Sequence, residues 1–231
     1  MGSLYAGAYW SARPESIEEC TVRLHAFLNG LTDISPMFNR WFERGRSRKS
    51  ALREPIEIEP TRLQQLLLAG RSRGDFDDHP IIEELGFSFG AWNGEEPSVG
   101  VSVHCGMFPR ATSIKNVVVL NLPAPEHVQP GVITSDFARS IVSLLAAVWD
   151  PDWATFSSDA LREEQGATPG DTVIGYATYL RSSWRLAFPL LPRGCRSAKS
   201  HHGRVITIGD DPLAVDARAV TQLARRWNPR R

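Results

Sequence analysis

FSFGAWNGEEPSVGVSVHC, Phe87 to Cys105, decides the class of fold. Phe87–Trp92 and Ser98–His104 are short, rich in aromatic and β-branched residues, and bounded by turn formers, which marks two strands. Between them Asn93-Gly94 is a strong hairpin dipeptide, although the connection is longer than two residues. A third strand is expected over Ser113–Leu122. Strands that follow one another through turns pair as neighbours, so the sheet is antiparallel or mixed rather than the all-parallel kind that needs a helix between each pair.

On the N-terminal side, Leu4–Trp10 reads as a strand. Pro14 then opens a helix, a favoured first-turn position. Ile17, Cys20, Leu24, Phe27, Leu28 and Leu31 form its apolar stripe, and Gly30 and Pro36 are expected to end it. Ser35–Phe42 is expected as a short helix, Arg44–Lys49 as a basic surface segment, and Thr61–Ala69 as a helix with Leu63, Leu66 and Leu67 inward and Gly70 as its stop. Residues 71–80 (RSRGDFDDHP) read as a polar loop.

On the C-terminal side, Thr134 or Ser135 caps the clearest helix, whose stripe is Phe137, Ile141, Leu144, Leu145 and Val148. Trp153–Ser158, Thr172–Tyr179 and Arg204–Ile208 read as strands, Pro189–Ser200 as irregular and basic, and Leu213–Trp227 as a closing helix. Helices and strands do not alternate strictly. The expected class is therefore α+β: a single domain over residues 4–227, with helices packed against a mixed or antiparallel sheet.

Composition narrows the function classes. The 231 residues carry 26 basic and 26 acidic side chains. This balance excludes a strongly basic polyanion binder and an acidic disordered chain. Yet residues 1–180 hold 15 basic and 23 acidic side chains, and residues 181–231 hold 11 and 3, which reads first as two surfaces of one fold that face different solvent directions and second as a hint of a charged partner on one face. The N-terminal stretch lacks the basic-then-apolar order of a signal peptide. Ser140–Trp149, the longest uncharged apolar helical stretch, falls short of the roughly 20 residues a membrane span needs. Cys20, Cys105 and Cys195 are odd in number and far apart, so no disulfide framework is expected and a reducing cytoplasm is the expected compartment.

Motifs for chemistry are missing. There is no phosphate loop, no HExxH, no paired CxxC and no GxSxG. His104 and Cys105 are adjacent on a strand, so they point to opposite faces and cannot act as base and nucleophile. His201-His202 has sequence-near carboxylates only at Asp210 and Asp211, and is expected to be solvated, with no metal and no cofactor. Acidic clusters at Asp75, Asp77 and Asp78, at Glu83 and Glu84, at Glu95 and Glu96, and at Asp150 and Asp152 lie in turn-like contexts. Among seven tryptophans, Trp92, beside the Asn93-Gly94 turn, is the best interface anchor.

The chain resembles the immunity protein 52 family of bacterial polymorphic toxin systems. The resemblance is carried by YAGAYW (Tyr5–Trp10), SPMFNRWFERGRSRKSAL (Ser35–Leu52), LLLAGRSRGD (Leu66–Asp75), ELGFSFGAWNG (Glu84–Gly94), SVHCG (Ser102–Gly106) and WDPDWATFSS (Trp149–Ser158). It implies a cytoplasmic α+β antidote without catalytic residues. Its partner would be a toxin, often one with a restriction-endonuclease-like nuclease domain, of the kind delivered by type VI secretion. A nuclease groove is basic because it must attract phosphates, so an acidic patch on the antidote would complement it. Asp75, Asp77, Asp78, Trp92, Glu95 and Glu96 are the expected toxin-binding residues; no direct contact with nucleic acid or membrane is expected. The competing readings are a small cytoplasmic hydrolase using Cys105 or a carboxylate pair, and a nucleic-acid module using the basic C-terminal segment with Trp184 and Trp227.

Overall fold

The structure, a computed structural model, describes residues 2–43, 48–75, 78–111, 115–168, 171–183, 191 and 194–227, with residues 226 and 227 described by backbone alone. The elements in chain order are β1 (Leu4–Trp10), α1 (Ile17–Ile34), β2 (Phe42–Glu43), α2 (Arg48–Ala51), α3 (Pro60–Ala69), β3 (Phe87–Trp92), β4 (Gly100–Cys105) and β5 (Asn116–Leu122). They continue with α4 (Ser135–Trp149), β6 (Trp153–Ser158), α5 (Asp159–Glu164), β7 (Ala177–Arg181), β8 (Cys195–Ser200), β9 (Gly203–Ile208) and α6 (Ala217–Trp227). The α+β class expected from the sequence is the class observed. The chain forms two compact units, Tyr9–Leu120 and Met1–Ala8 with Asn121–Arg231.

In the unit Tyr9–Leu120 the strands pair in the order β2-β3-β4-β5. The β3–β4 ladder is antiparallel, with Phe89 opposite Val103 and Ala91 opposite Val101. β4 alternates strictly: Val101, Val103 and Cys105 are buried, and Ser102 and His104 face outward. Asn93 holds the turn open to its greater length. Its side-chain oxygen accepts from the amides of Glu95 (3.3 Å) and Val99 (2.9 Å), and Gly94 takes φ +79°. α1 starts with a reciprocal cap, in which Ser16 Oγ accepts from the Glu19 amide and the Glu19 carboxylate accepts from the Ser16 amide. The helix does not stop at Gly30. Leu31 completes the buried stripe of Cys20, Leu24, Phe27 and Leu28, and burying it outweighs the roughly 1 kcal/mol cost of an interior glycine. Between Ser35 and Phe42 there is one 3-10 turn, Pro36–Phe38, and then the start of β2, rather than a helix. Phe38 and Trp41 stack in the core, their rings 6.4 Å apart. α3 packs on α1 and β3.

In the other unit the order is β1-β6-β7-β9-β8, and the β6–β7, β7–β9 and β8–β9 ladders are antiparallel. α4, capped by Thr134 on the Phe137 amide, buries Phe137, Ile141, Leu145 and Trp149 and packs on β6, β7 and β9. β7 starts at Ala177, later than the expected Thr172, because a side chain takes the ladder's place: Gln165 bonds both the amide (3.1 Å) and the carbonyl (2.7 Å) of Ile174. The second half of the expected irregular stretch Pro189–Ser200 is instead the edge strand β8. Its exposed Arg196 and Lys199 hide the apolar alternation that betrays a strand and protect the edge from further pairing. α6 starts at Ala217, four residues after Leu213, because the Asp211 and Asp216 carboxylates capture the amides of Leu213 and Arg218 in turns.

Candidate interaction surface

The chemistry that adjacent residues could offer is separated by the pleat. His104 is on the outer face of β4, while Cys105 is fully buried. The Cys105 thiol is pushed well above the ordinary thiol range. A hydrogen bond with Cys20 is the first cause, burial the second and the charge of Glu15 a further one, against which Arg23 acts. The thiol is therefore held protonated and away from solvent, the reverse of what a nucleophile needs. Trp184 and the side chain of Trp227 lie outside the described residues, so the basic C-terminal module has no described site.

The expected toxin-binding residues fall in two places within the unit Tyr9–Leu120. Asp75 and Asp78 are exposed in the loop of residues 71–86; Asp77 lies outside the described residues. The loop leaves α3 at Gly70, whose carbonyl accepts from Ser88 Oγ, and is pinched by a bridge between Arg73 and Ile81. It enters β3 at Phe87. Glu95 and Glu96 follow the other end of β3, after Trp92. Six residues of strand, roughly 17 Å, separate the two groups.

The two ends differ in charge. Residues 71–86 carry two arginines and five carboxylates. Arg71 pairs with Glu83 and stacks over the Phe87 ring. Asp75, Asp78 and Glu84 are exposed alongside. The described residues 40–43 and 48–54 beside the far end carry four basic and two acidic side chains. There Arg48 pairs with Glu96 (3.4 Å), Arg62 with Glu43, and Arg40 lies over Phe42. Trp92 is half-buried against Phe42, and its indole N–H donates to the Glu43 carbonyl.

One residue that sequence reading passed over joins the acidic end. Phe108 is 43% exposed, and its amide donates to the carbonyl of Glu84 at 3.0 Å. An exposed aromatic ring tied through its backbone to the acidic loop suits an interface anchor. Its sequence mark is faint: a lone aromatic between Gly106 and Pro109.

In the unit that contains α4, the fold gives His201-His202 a carboxylate the sequence did not point to. Asp210 is at the opposite end of the β8–β9 hairpin, paired with Arg196 (2.6 Å). Asp150, the C-cap of α4, is the acid that approaches, with its Oδ1 4.0 Å from His201 Nε2. Among the described residues, no helix is long and apolar enough to cross a membrane.

A comparison with protein families matches residues 2–230 to the family described as Immunity protein 52. No curated protein matches the chain.

Proposed function

The chain belongs to the immunity protein 52 family, and from that membership we propose that it neutralises a cognate nuclease toxin in the cytoplasm by binding it. The match over nearly the whole chain carries this reading, and residues 4–227 act together as one immunity domain. The buried, protonated thiol of Cys105 favours a binding protein over a thiol hydrolase.

The toxin's phosphate-binding groove is basic, and its counterpart is the acidic loop of residues 71–86. Asp75, Asp77 and Asp78 supply charge to that contact together with Glu84, and Phe108 supplies the apolar anchor. Trp92, Glu95 and Glu96 form a second contact region, where neighbouring arginines select orientation rather than add attraction. A contact of the standard size, roughly 1,600 Å² in total, is wide enough to include both ends of β3.

Co-expression tests the reading. The toxin gene that neighbours this one is expressed in a bacterial host with and without this protein, and the pair is then purified. Survival together with a stable complex is expected. Survival without a complex would mean that the protein modifies the toxin or repairs its damage. Neither survival nor a complex would remove the pairing altogether.

A further inference from the structure

We propose that Asp150, His201 and His202 form a binding site for a divalent transition-metal ion of the zinc class, clasping the end of α4 to the β8–β9 turn. The three residues each offer one ligand atom, and these atoms lie within 4.8 Å of one another. Two imidazoles and one carboxylate are the donor set that zinc and its first-row neighbours prefer over magnesium or calcium.

Three features of the fold bring the set together. First, His201 takes φ +47°, which breaks the strand alternation that would send adjacent side chains apart. The two rings lie together, their centroids 4.2 Å apart. Second, the turn is fixed: Ser200 pairs with Gly203 across the hairpin, and the His202 carbonyl accepts from the Ser182 amide at 2.9 Å. Third, Arg181 at the end of β7 locks the acid. It donates to the carbonyls of Asp150 and Pro151 and pairs with Asp150 Oδ1 at 2.6 Å.

Asp150, Asp152 and the C-terminal end of α4 attract a cation, against which Arg181 and the hairpin neighbours Lys199 and Arg204 act. The C-terminal end of α4, with its partial negative charge, is capped by Asp150 itself, and Asp152 is two residues on. A guanidinium on a ligating carboxylate is an ordinary outer partner, which orients the acid while its remaining lone pairs bind the ion. Both histidines are exposed, so the ion has a path of entry and water completes its coordination. The fully formed site requires ligand atoms a little closer than they stand, a change that rotation of the exposed imidazoles supplies.

The test uses the full chain without a histidine tag, titrated calorimetrically with Zn2+. One equivalent is expected to bind and to raise the melting temperature. Asp150→Asn and His201→Asn keep side chains that tolerate the left-handed backbone at both positions, and His202→Gln keeps a polar side chain of similar length. Each should weaken Zn2+ binding by about tenfold or more, and Co2+ should give visible absorption bands in the wild type that the variants lose. As a readout independent of folding of the variants, Zn2+ should protect His201 and His202 of the wild type from carbethoxylation while His25, His79, His104 and His127 keep reacting. No one-to-one binding, binding unchanged in the variants, or protection at the other histidines instead would each overturn the site.

Discussion

Cys105 shows how a residue that looks chemical is made structural. Its side chain faces the core from β4, hydrogen-bonded to Cys20 of α1, in a neighbourhood that includes Glu15, whose carboxylate pairs with Arg23 at 2.8 Å. Because the folded state raises the thiol's pKa, it holds this proton where the unfolded chain has begun to release it. The stabilisation is complete below the ordinary thiol range and is lost as pH rises through the folded value. Cys105→Ser should therefore protect cells against the toxin as the wild type does, at a cost of roughly 1–2 kcal/mol in denaturant unfolding. Its unfolding should also depend less on pH on the alkaline side. Loss of protection by a folded variant would restore the hydrolase reading. The opposite facing of His104 and Cys105 was legible from strand alternation. The role of Asn116 was not: fully buried, it bonds the amide and carbonyl of Met107 and the carbonyl of Ser11, 105 residues away, and no local pattern records such a pairing.

Among the elements, α3 is placed by one close approach. A Cβ on Gly70 would stand 2.0 Å from the Ser88 carbonyl oxygen, a backbone atom of β3 that cannot step aside without its ladder. Gly70→Ala should destabilise the protein by at least about 2 kcal/mol through this overlap, although its own backbone angles suit alanine. Chemical denaturation measures it, and a change near zero would mean that α3 can slide on β3. The sequence marked Gly70 as a helix stop and missed it as a contact, because a missing side chain leaves no periodic signal. The elements that read correctly, among them β1, β3, β6 and the cores of α1 and α4, are those whose apolar and aromatic residues are dense enough to mark a strand or a helical stripe. Those that read poorly have their apolar signal replaced. β8 shows charges on an edge, and α5 is short, one helical turn and a half held by Ser158 capping the Leu161 amide.

At the scale of the whole molecule, folding cancels most of the charge asymmetry of the linear chain. The unit Tyr9–Leu120 holds 13 basic and 15 acidic side chains, and the rest of the chain holds 13 and 11. The acidic excess of residues 1–180 and the basic excess of residues 181–231 thus reduce to minus two and plus two, because the basic C-terminal segment shares a unit with an acidic stretch before it. Long-range attraction between this protein and a basic toxin therefore cannot come from net charge. It must come from a local patch, and the loop of residues 71–86, at minus three, is the one the toxin-binding proposal uses. Local fields are screened over about 10 Å at 0.1 M salt, so a patch acts on the encounter and much less on the docked complex. Replacing Asp75 and Asp78 together by lysine should slow association with the toxin by about tenfold at low ionic strength, flatten its salt dependence, and leave dissociation nearly unchanged. Phe108→Ala should do the reverse, speeding dissociation while sparing the salt dependence of association. Stopped-flow mixing and surface-immobilised dissociation separate the two rates. If the lysine pair associates as fast as the wild type at low salt, the acidic loop is not where the toxin arrives, and the arginine-flanked end of β3 around Trp92 becomes the surface to test.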